Sequence, residues 1–306
     1  MIIKVLGSAA GGGFPQANCN CRNCADVRQG RTDLRARTQS SLAVSADGAS
    51  WVLLNASPDL RQQIATNPEL APRPDDPLRS SPIKAVVLTN GDVDHIAGLL
   101  SLRENFRFDL FATARVLDTL KTSRIFDVLD PAAVNRRELP INATIAPRGM
   151  ELTVEAFAVP GKVALYLERP SAGDNFGTEE GDTIGLRIAD PSSGVSFFYV
   201  PGCAAIDAGL AGRLRGAPLV LFDGTLYTDD EMIAQGLSTK SGRRMGHVAM
   251  SGEGGSLAAF RNLGVGRRVY VHLNNSNPVL REDGPERAAV QREGWEVAWD
   301  GMEIRL

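Results

Sequence analysis

Thr89-Asn90-Gly91-Asp92-Val93-Asp94-His95 is the stretch on which the reading of this chain turns. It follows Ile83–Leu88, a short apolar run of the buried-strand kind, and it leads into the apolar Ile96–Leu102, read as a helix. The turn therefore lies at the C-terminal end of a strand, where α/β folds place their ligands. Asp92, Asp94 and His95 put three potential metal ligands within four residues. Asn, Gly and Asp also form turns, and Asp94 could simply cap the helix. His95 weighs against so plain a reading, because the chain holds three histidines in all: His95, His247 and His272.

Outward from this turn, short apolar runs recur along the whole chain. Ile2–Leu6, Ser41–Ser45, Trp51–Asn55, Glu151–Ala158, Val163–Leu167, Thr183–Ile188, Val195–Val200, Leu219–Phe222 and Val269–Leu273 read as strands, and Trp295–Ala298 and Met302–Leu306 close the series. Helical patterns lie between them, at Pro58–Thr66, Ala114–Leu129, Asp207–Leu214, Asp229–Gln235, Ser251–Leu263 and Glu286–Glu293. Two sheets covered by helices, an α/β (α+β) layered fold, is the expectation. Asn67–Pro82, with its five prolines, reads as a surface loop. Nothing divides the chain, so a single domain over residues 1–306 is expected.

The composition narrows the function. The 306 residues carry 33 Lys and Arg against 36 Asp and Glu, a formal charge of −3, which gives no field to draw nucleic acid or an anionic membrane. No apolar run approaches a membrane span, and no signal peptide is evident, so a cytoplasmic protein is expected. Cys19, Cys21 and Cys24 form a C-x-C-x-x-C, apart from the fourth cysteine, Cys203. Thiolates so closely spaced favour a closed tetrahedral zinc site over a disulfide framework, with a fourth ligand from elsewhere. An iron–sulfur cluster using Cys203 is the weaker alternative. The glycine-rich Gly7–Gly13 lacks the Lys-Ser/Thr end of a phosphate loop and reads as a close-packed lead into the cysteines.

The turn at 90–95 resembles the second motif of the metallo-β-lactamase fold, His-x-His-x-Asp-His, here written Asn90-x-Asp92-x-Asp94-His95. The resemblance implies a four-layer αββα sandwich. It also implies that the first metal site, which needs the two leading histidines, is altered, while the Asp94–His95 half of the second is kept. His272, at the end of the strand Val269–Val271, resembles the family's last ligand histidine. His247, before the helix at 251–263, resembles a general acid or substrate contact of the RNase Z and phosphodiesterase branch. Two further family ligands are missing: Gly161-Lys162 stands where a histidine is usual, and Pro201-Gly202-Cys203 where a bridging aspartate is usual. The surviving Asp94, His95 and His272 match the two-histidine, one-carboxylate set of non-heme Fe(II) oxygenases, with Asp92 as a further ligand or a hydrogen-bonding neighbour. Zinc accepts the same donors. Phosphodiesterase relatives complete a similar cysteine cluster with a histidine three residues after the last active-site histidine; that position here is Asn275, the implied fourth ligand of a structural zinc.

The joint pattern is narrower still. Leu6–Gln16 running into the cysteines, the altered turn followed by Ile96–Glu104, Val200-Pro201-Gly202-Cys203, Phe222-Asp223-Gly224-Thr225 and His272–Pro278 together resemble the PqqB family of pyrroloquinoline quinone (PQQ) biosynthesis. That implies Fe(II)- and O2-dependent hydroxylation of the tyrosine ring of a Glu–Tyr precursor, in the company of other PQQ-biosynthesis proteins. In this reading Asp92 and His247 are catalytic. Arg243 and Arg244 would hold substrate carboxylates, unless their loop is merely solvated, and Asp223 would face the substrate or serve its turn. The rivals are a zinc-dependent hydrolase and a soluble carrier of PQQ or its precursor to the periplasm; one fold hosts many chemistries. Oligomeric state is left open.

Overall fold

A computed structural model describes residues 1–173 and 175–306. The first half of the chain lays down β1 (Ile2–Gly7), β2 (Ser41–Ser45), β3 (Trp51–Leu54), β4 (Ile83–Val87), β5 (Phe108–Ala112) and β6 (Val134–Glu138). The second half lays down β7 (Thr144–Ile145), β8 (Thr153–Ala158), β9 (Ile184–Ala189), β10 (Ser196–Val200), β11 (Leu219–Asp223), β12 (Arg267–Val271) and β13 (Trp295–Val297). The last strand, β14 (Glu303–Arg305), returns to the first sheet beside β1. The sheets run β14-β1-β2-β3-β4-β5-β6 and β13-β12-β11-β10-β9-β8-β7. In each, one half is antiparallel and the other half parallel.

Alternation along the strands explains the layers. In β1, Ile3 and Val5 point to one side and Leu6 to the other; in β11, Leu219 and Leu221 oppose Val220 and Phe222. The first set meets between the sheets, where Ile3, Val5, Leu54, Leu186, Tyr199 and Leu221 share one core. The outward sets pack under helices, Leu6, Val86 and Leu99 on one side and Val220, Phe222 and Phe260 on the other. This is the expected αββα sandwich. The central strands are covered on both faces, which is why β3, β10 and β11 read as nearly unbroken apolar runs.

Several elements depart from their sequence pattern. Phe108–Ala112 and Val134–Glu138 are strands the patterning passed over; Val134–Glu138 is a polar edge strand with most of its length turned to solvent. Val163–Leu167, expected as a strand, joins no sheet. The Val163 amide donates to Thr178 Oγ1 (3.0 Å) and the Leu165 amide to Asp92 Oδ1 (3.2 Å), so backbone donors that a ladder would use go to side chains. The helix expected at 114–129 stops at Thr122, where Ser123 leaves helical geometry, and continues as a 3-10 turn, Arg124–Val128. The helix expected at 251–263 shortens to Ser256–Phe260, since Gly252, Gly254 and Gly255 cost too much backbone entropy to begin it.

The sheets are stitched at one edge. The Ala10 amide donates to the Leu273 carbonyl (2.8 Å), the Leu273 amide to that of Ser8 (2.8 Å), and the Ile184 amide to that of Thr89 (2.9 Å). Beside this seam the helical segment after the 90–95 turn lies hard against the Ala56–Ser57 backbone. Gly98 makes the approach, because a Cβ there would stand 2.0 Å from the Ser57 carbonyl oxygen.

Candidate metal centre

The C-terminal ends of β4, β10, β11 and β12 converge on the seam. Asp94 and His95 arrive from the first sheet, and His272 and Asp223 from the second, with His247 supplied by the loop before residues 251–263. His272 has a left-handed backbone, φ 59, an uncommon state for a residue with a side chain. That turn breaks the strand alternation at the residue whose imidazole meets Asp94.

Asp94 Oδ2 lies 3.0 Å from His272 Nε2 and 3.9 Å from His95 Nε2. Ligand atoms on one metal ion, each about 2.0–2.2 Å from it, stand roughly 3 Å apart, so the spacing suits a shared ion. The hydrogen bonds behind the rings say more. His95 Nδ1 donates to Asn90 Oδ1 (2.8 Å), leaving the Nε2 lone pair forward; that atom is buried without a hydrogen-bond partner among the described residues. Burial holds the His95 pKa down, at about 4, against the pull of Asp94, so the ring stays neutral. The Thr225 hydroxyl donates to Asp223 Oδ1 (2.7 Å) and accepts from His272 Nδ1 (2.8 Å), which turns a second lone pair toward Asp94. Two imidazole nitrogens and a carboxylate so placed can hold a cation between them. The donor set fits a divalent first-row metal.

Behind it stands a buried dyad. Asp223 is fully enclosed; its Oδ2 accepts from the Cys203 amide (2.9 Å) and from His247 Nδ1 (2.8 Å). His247 stacks on His272 with ring centroids 5.1 Å apart. Asp223, His247 and His272 thus form a second group of mutually close donors.

The cysteines form a separate centre. Cys24 sits in the first helix turn, Arg22–Arg28, and the Sγ atoms of Cys19, Cys21 and Cys24 cluster. The Asn275 carboxamide tip is 3.1, 3.5 and 3.4 Å from them. In a zinc tetrahedron of three sulfurs and one oxygen, the sulfur–oxygen edge is about 3.5 Å, so the tip occupies the fourth vertex; which of its two atoms faces the thiols is an assignment of the amide orientation. Backbone amides of Gln16 and Cys21 point at Cys24 and Cys19 Sγ, both at 3.4 Å, as donors do toward thiolates.

The chain can now be set against known proteins. The beta-lactamase superfamily domain model matches residues 50–273. Coenzyme PQQ synthesis protein B of a strain of Methylorubrum extorquens is 50% identical over 307 residues, covering 100% of both chains. That of Xanthomonas oryzae pv. oryzae is 52% identical over 306 residues, again covering 100% of both. The chain belongs to the coenzyme PQQ synthesis protein B family. The crystal structure of Zn(2+)-bound PqqB from Methylobacterium extorquens superposes with a TM-score of 0.94 at 50% identity, covering 100% of both chains. A diphosphatase of the PhnP family shares the fold, with a TM-score of 0.69 at 19% identity, covering 100% of this chain and 97% of that one.

Within this PqqB-family frame, the residues expected from sequence divide clearly. Asp94, His95 and His272 are brought together, as are Cys19, Cys21, Cys24 and Asn275. Cys203 stays out of the cysteine cluster and is packed in the core, its thiol donating to the Ala205 carbonyl (2.9 Å). Asp92 lines the cavity of about 440 Å³ above the cluster but lies outside the group of close donors. Burial raises its pKa, and the neighbouring Lys162 ammonium opposes the rise. His247 lines the same cavity. Three placements need correction. Asp223 lies beneath His247 and does not line the cavity. Arg244 is spent on Glu168, with two contacts of 3.0 and 2.8 Å, and stacks on Phe176. Arg243 lies outside the cavity, its backbone amide tied to Asp229 Oδ1 (2.7 Å). The loop's basic charge at the cavity is Lys240, joined by Lys162. Sequence reasoning missed Thr225, Asn90's hold on His95, and Lys162. Asn90 and Lys162 had a signal, since the resemblance to the metallo-β-lactamase fold implies a histidine at both places.

Proposed function

We propose that this protein acts in PQQ biosynthesis as an Fe(II)- and O2-dependent hydroxylase of the tyrosine ring of a Glu–Tyr precursor. The observation that carries the reading is the forward-facing Nε2 of buried His95, without a hydrogen-bond partner among the described residues, beside Asp94 and His272. Together they make a two-histidine, one-carboxylate set, opening on a cavity large enough for an aromatic dipeptide. Hydroxylation puts one oxygen atom of O2 on the ring and releases the other as water, so it draws two electrons and two protons from an external two-electron reductant; Fe(II) held there would supply open positions for O2. The chain's own residues do the rest. Asn90 and Thr225 fix the tautomers of the two ligand histidines. Asp223 accepts the His247 Nδ1 proton, which leaves Nε2 as the ring nitrogen that takes or returns the phenol proton. Asp92 stands at the cavity wall as a further acceptor. The Lys162 ammonium disfavours a second metal ion nearby by charge repulsion. Cys19, Cys21, Cys24 and Asn275 would hold a structural zinc.

Zinc-dependent hydrolysis is a second reading, favoured by the second donor group at Asp223, His247 and His272 and by the Zn(2+)-bound relative. Metal analysis and turnover separate the two. Protein loaded anaerobically with Fe(II), mixed with Glu–Tyr substrate and a two-electron reductant such as ascorbate and then O2, is expected to give products heavier by whole oxygen atoms, lost in His272→Ala. No oxygenated product with iron, but cleavage with zinc, would overturn the first reading. Substrate or PQQ binding that survives His272→Ala, without turnover, would make the protein a carrier.

A further inference from the structure

The same cavity holds positive charge that the hydroxylation chemistry does not use. Glu168 is the hub. Arg244 grips both of its oxygens, and that contact holds the Glu168 carboxyl below the usual carboxylate range. Two more cations gather on the same carboxylate: Lys162 Nζ at 3.9 Å and Lys240 Nζ at 3.7 Å. Those distances make ion pairs but not hydrogen bonds. Lys162 has one long hydrogen bond, 3.5 Å to the Val163 carbonyl, and Lys240 Nζ has none among the described residues. Arg244 alone neutralises Glu168; Lys162 also faces Asp92, a carboxyl that burial pushes toward its neutral form, so both ammonium groups, each with three N–H donors, face the cavity with donors to spare.

The arrangement is built rather than incidental. Gly246, with φ 90, brings its backbone against the Lys162 stem, and a Cβ there would come within 2.8 Å of Lys162 Cγ. Arg244 is clamped between Glu168 and the Phe176 ring. An apolar occupant would bury the lysine donors unpaired, which is costly; anionic oxygens would satisfy them. Gly11 and the start of the helix Val93–Ile96 line the same cavity on the side of the Asp94–His95–His272 cluster, so inorganic phosphate is the anion against which the carboxylate preference is read.

We infer that Lys162 and Lys240, held by Glu168, form a carboxylate-binding subsite that selects a substrate with two carboxylates and aims its ring at the Asp94–His95–His272 cluster. This rests on the reading of the cavity as the substrate site, but its test does not need turnover. Metal-loaded protein is titrated calorimetrically, without O2, with the dipeptide Glu-Tyr and with its carboxylate-free counterpart, Gln-Tyr-amide. Glu-Tyr is expected to bind at least about tenfold more tightly. Lys162→Gln and Lys240→Gln should each weaken Glu-Tyr about 5–20-fold and leave Gln-Tyr-amide unchanged, whereas Lys162→Arg and Lys240→Arg should keep most of the preference. Succinate should displace Glu-Tyr more readily than inorganic phosphate does. Equal affinity for the two dipeptides, equal losses for both in the Gln variants, binding of neither, or displacement by phosphate as readily as by succinate would each overturn the subsite. Failure of hydroxylation alone would leave this binding pattern intact, and hydroxylation unaffected by both Gln variants would overturn the subsite alone.

Discussion

Asn90 Oδ1 receives two donors, the Asp92 amide (3.0 Å) and His95 Nδ1 (2.8 Å). One side chain thus shapes the turn and aims a metal ligand. Outer hydrogen bonds of this kind are worth about 10–100-fold in metal affinity. Asn90→Ala should therefore weaken Fe(II) binding by roughly that factor, measured by competition with a chelating dye, with little change in circular dichroism. Undiminished iron affinity would show that packing alone orients His95. His272 works differently: its left-handed backbone, not a side-chain partner alone, sets its direction.

At the scale of elements, the helix Glu231–Ala234 is pinned to the polar turn after β12. Glu231 accepts from Ser276 Oγ (2.6 Å) and from the Tyr227 amide (2.7 Å). Burial pushes its pKa from 4.5 up to about 7. The folded chain therefore keeps a proton that the unfolded chain releases between pH 4.5 and about 7. Stability from this group is full below pH 4.5, falls as pH rises through that window, and is gone above about 7. The total is on the order of 3 kcal/mol, since each pKa unit corresponds to about 1.36 kcal/mol. Denaturant unfolding at a series of pH values should show the wild type losing stability relative to Glu231→Gln across the window. Parallel curves for the two proteins would place the carboxyl in water.

For the molecule as a whole, the two candidate metal centres are mechanically linked, because His272 and Asn275 lie on one short turn. Asn23 Nδ2 also donates to the carbonyls of Asn275 (3.1 Å) and Asn277 (3.0 Å), tying the cysteine loop to that turn. Cys24→Ser should lose the zinc of the cysteine centre, lower the melting temperature by several degrees, and weaken iron binding at a site whose own ligands are intact. Elemental analysis of the purified variant reads both metals. Full iron loading in zinc-free protein would show the centres to be independent.

Much of this architecture is legible in the chain itself. Apolar runs at strand spacing mark most of the two sheets, because strands buried on both faces leave no polar alternation to hide them. The turn at 90–95, the scarcity of histidine and the C-x-C-x-x-C mark the ligands, because few side chains can serve a metal. Val134–Glu138 escaped notice since an edge strand is held by backbone pairing that leaves little mark on side chains. Charge was also misplaced: Arg243 and Arg244 look like substrate contacts in sequence, yet Glu168, far away in the chain, takes Arg244 and gathers Lys162 and Lys240 instead. Local chemistry and periodicity, written residue by residue, determined which elements form and which atoms can bind metal. Which donors meet, which are already spent on a partner and which face the cavity was decided only by the packing of the two sheets, because those contacts join residues far apart in the chain, 178 positions for His272 and Asp94 and 256 for Asn275 and Cys19.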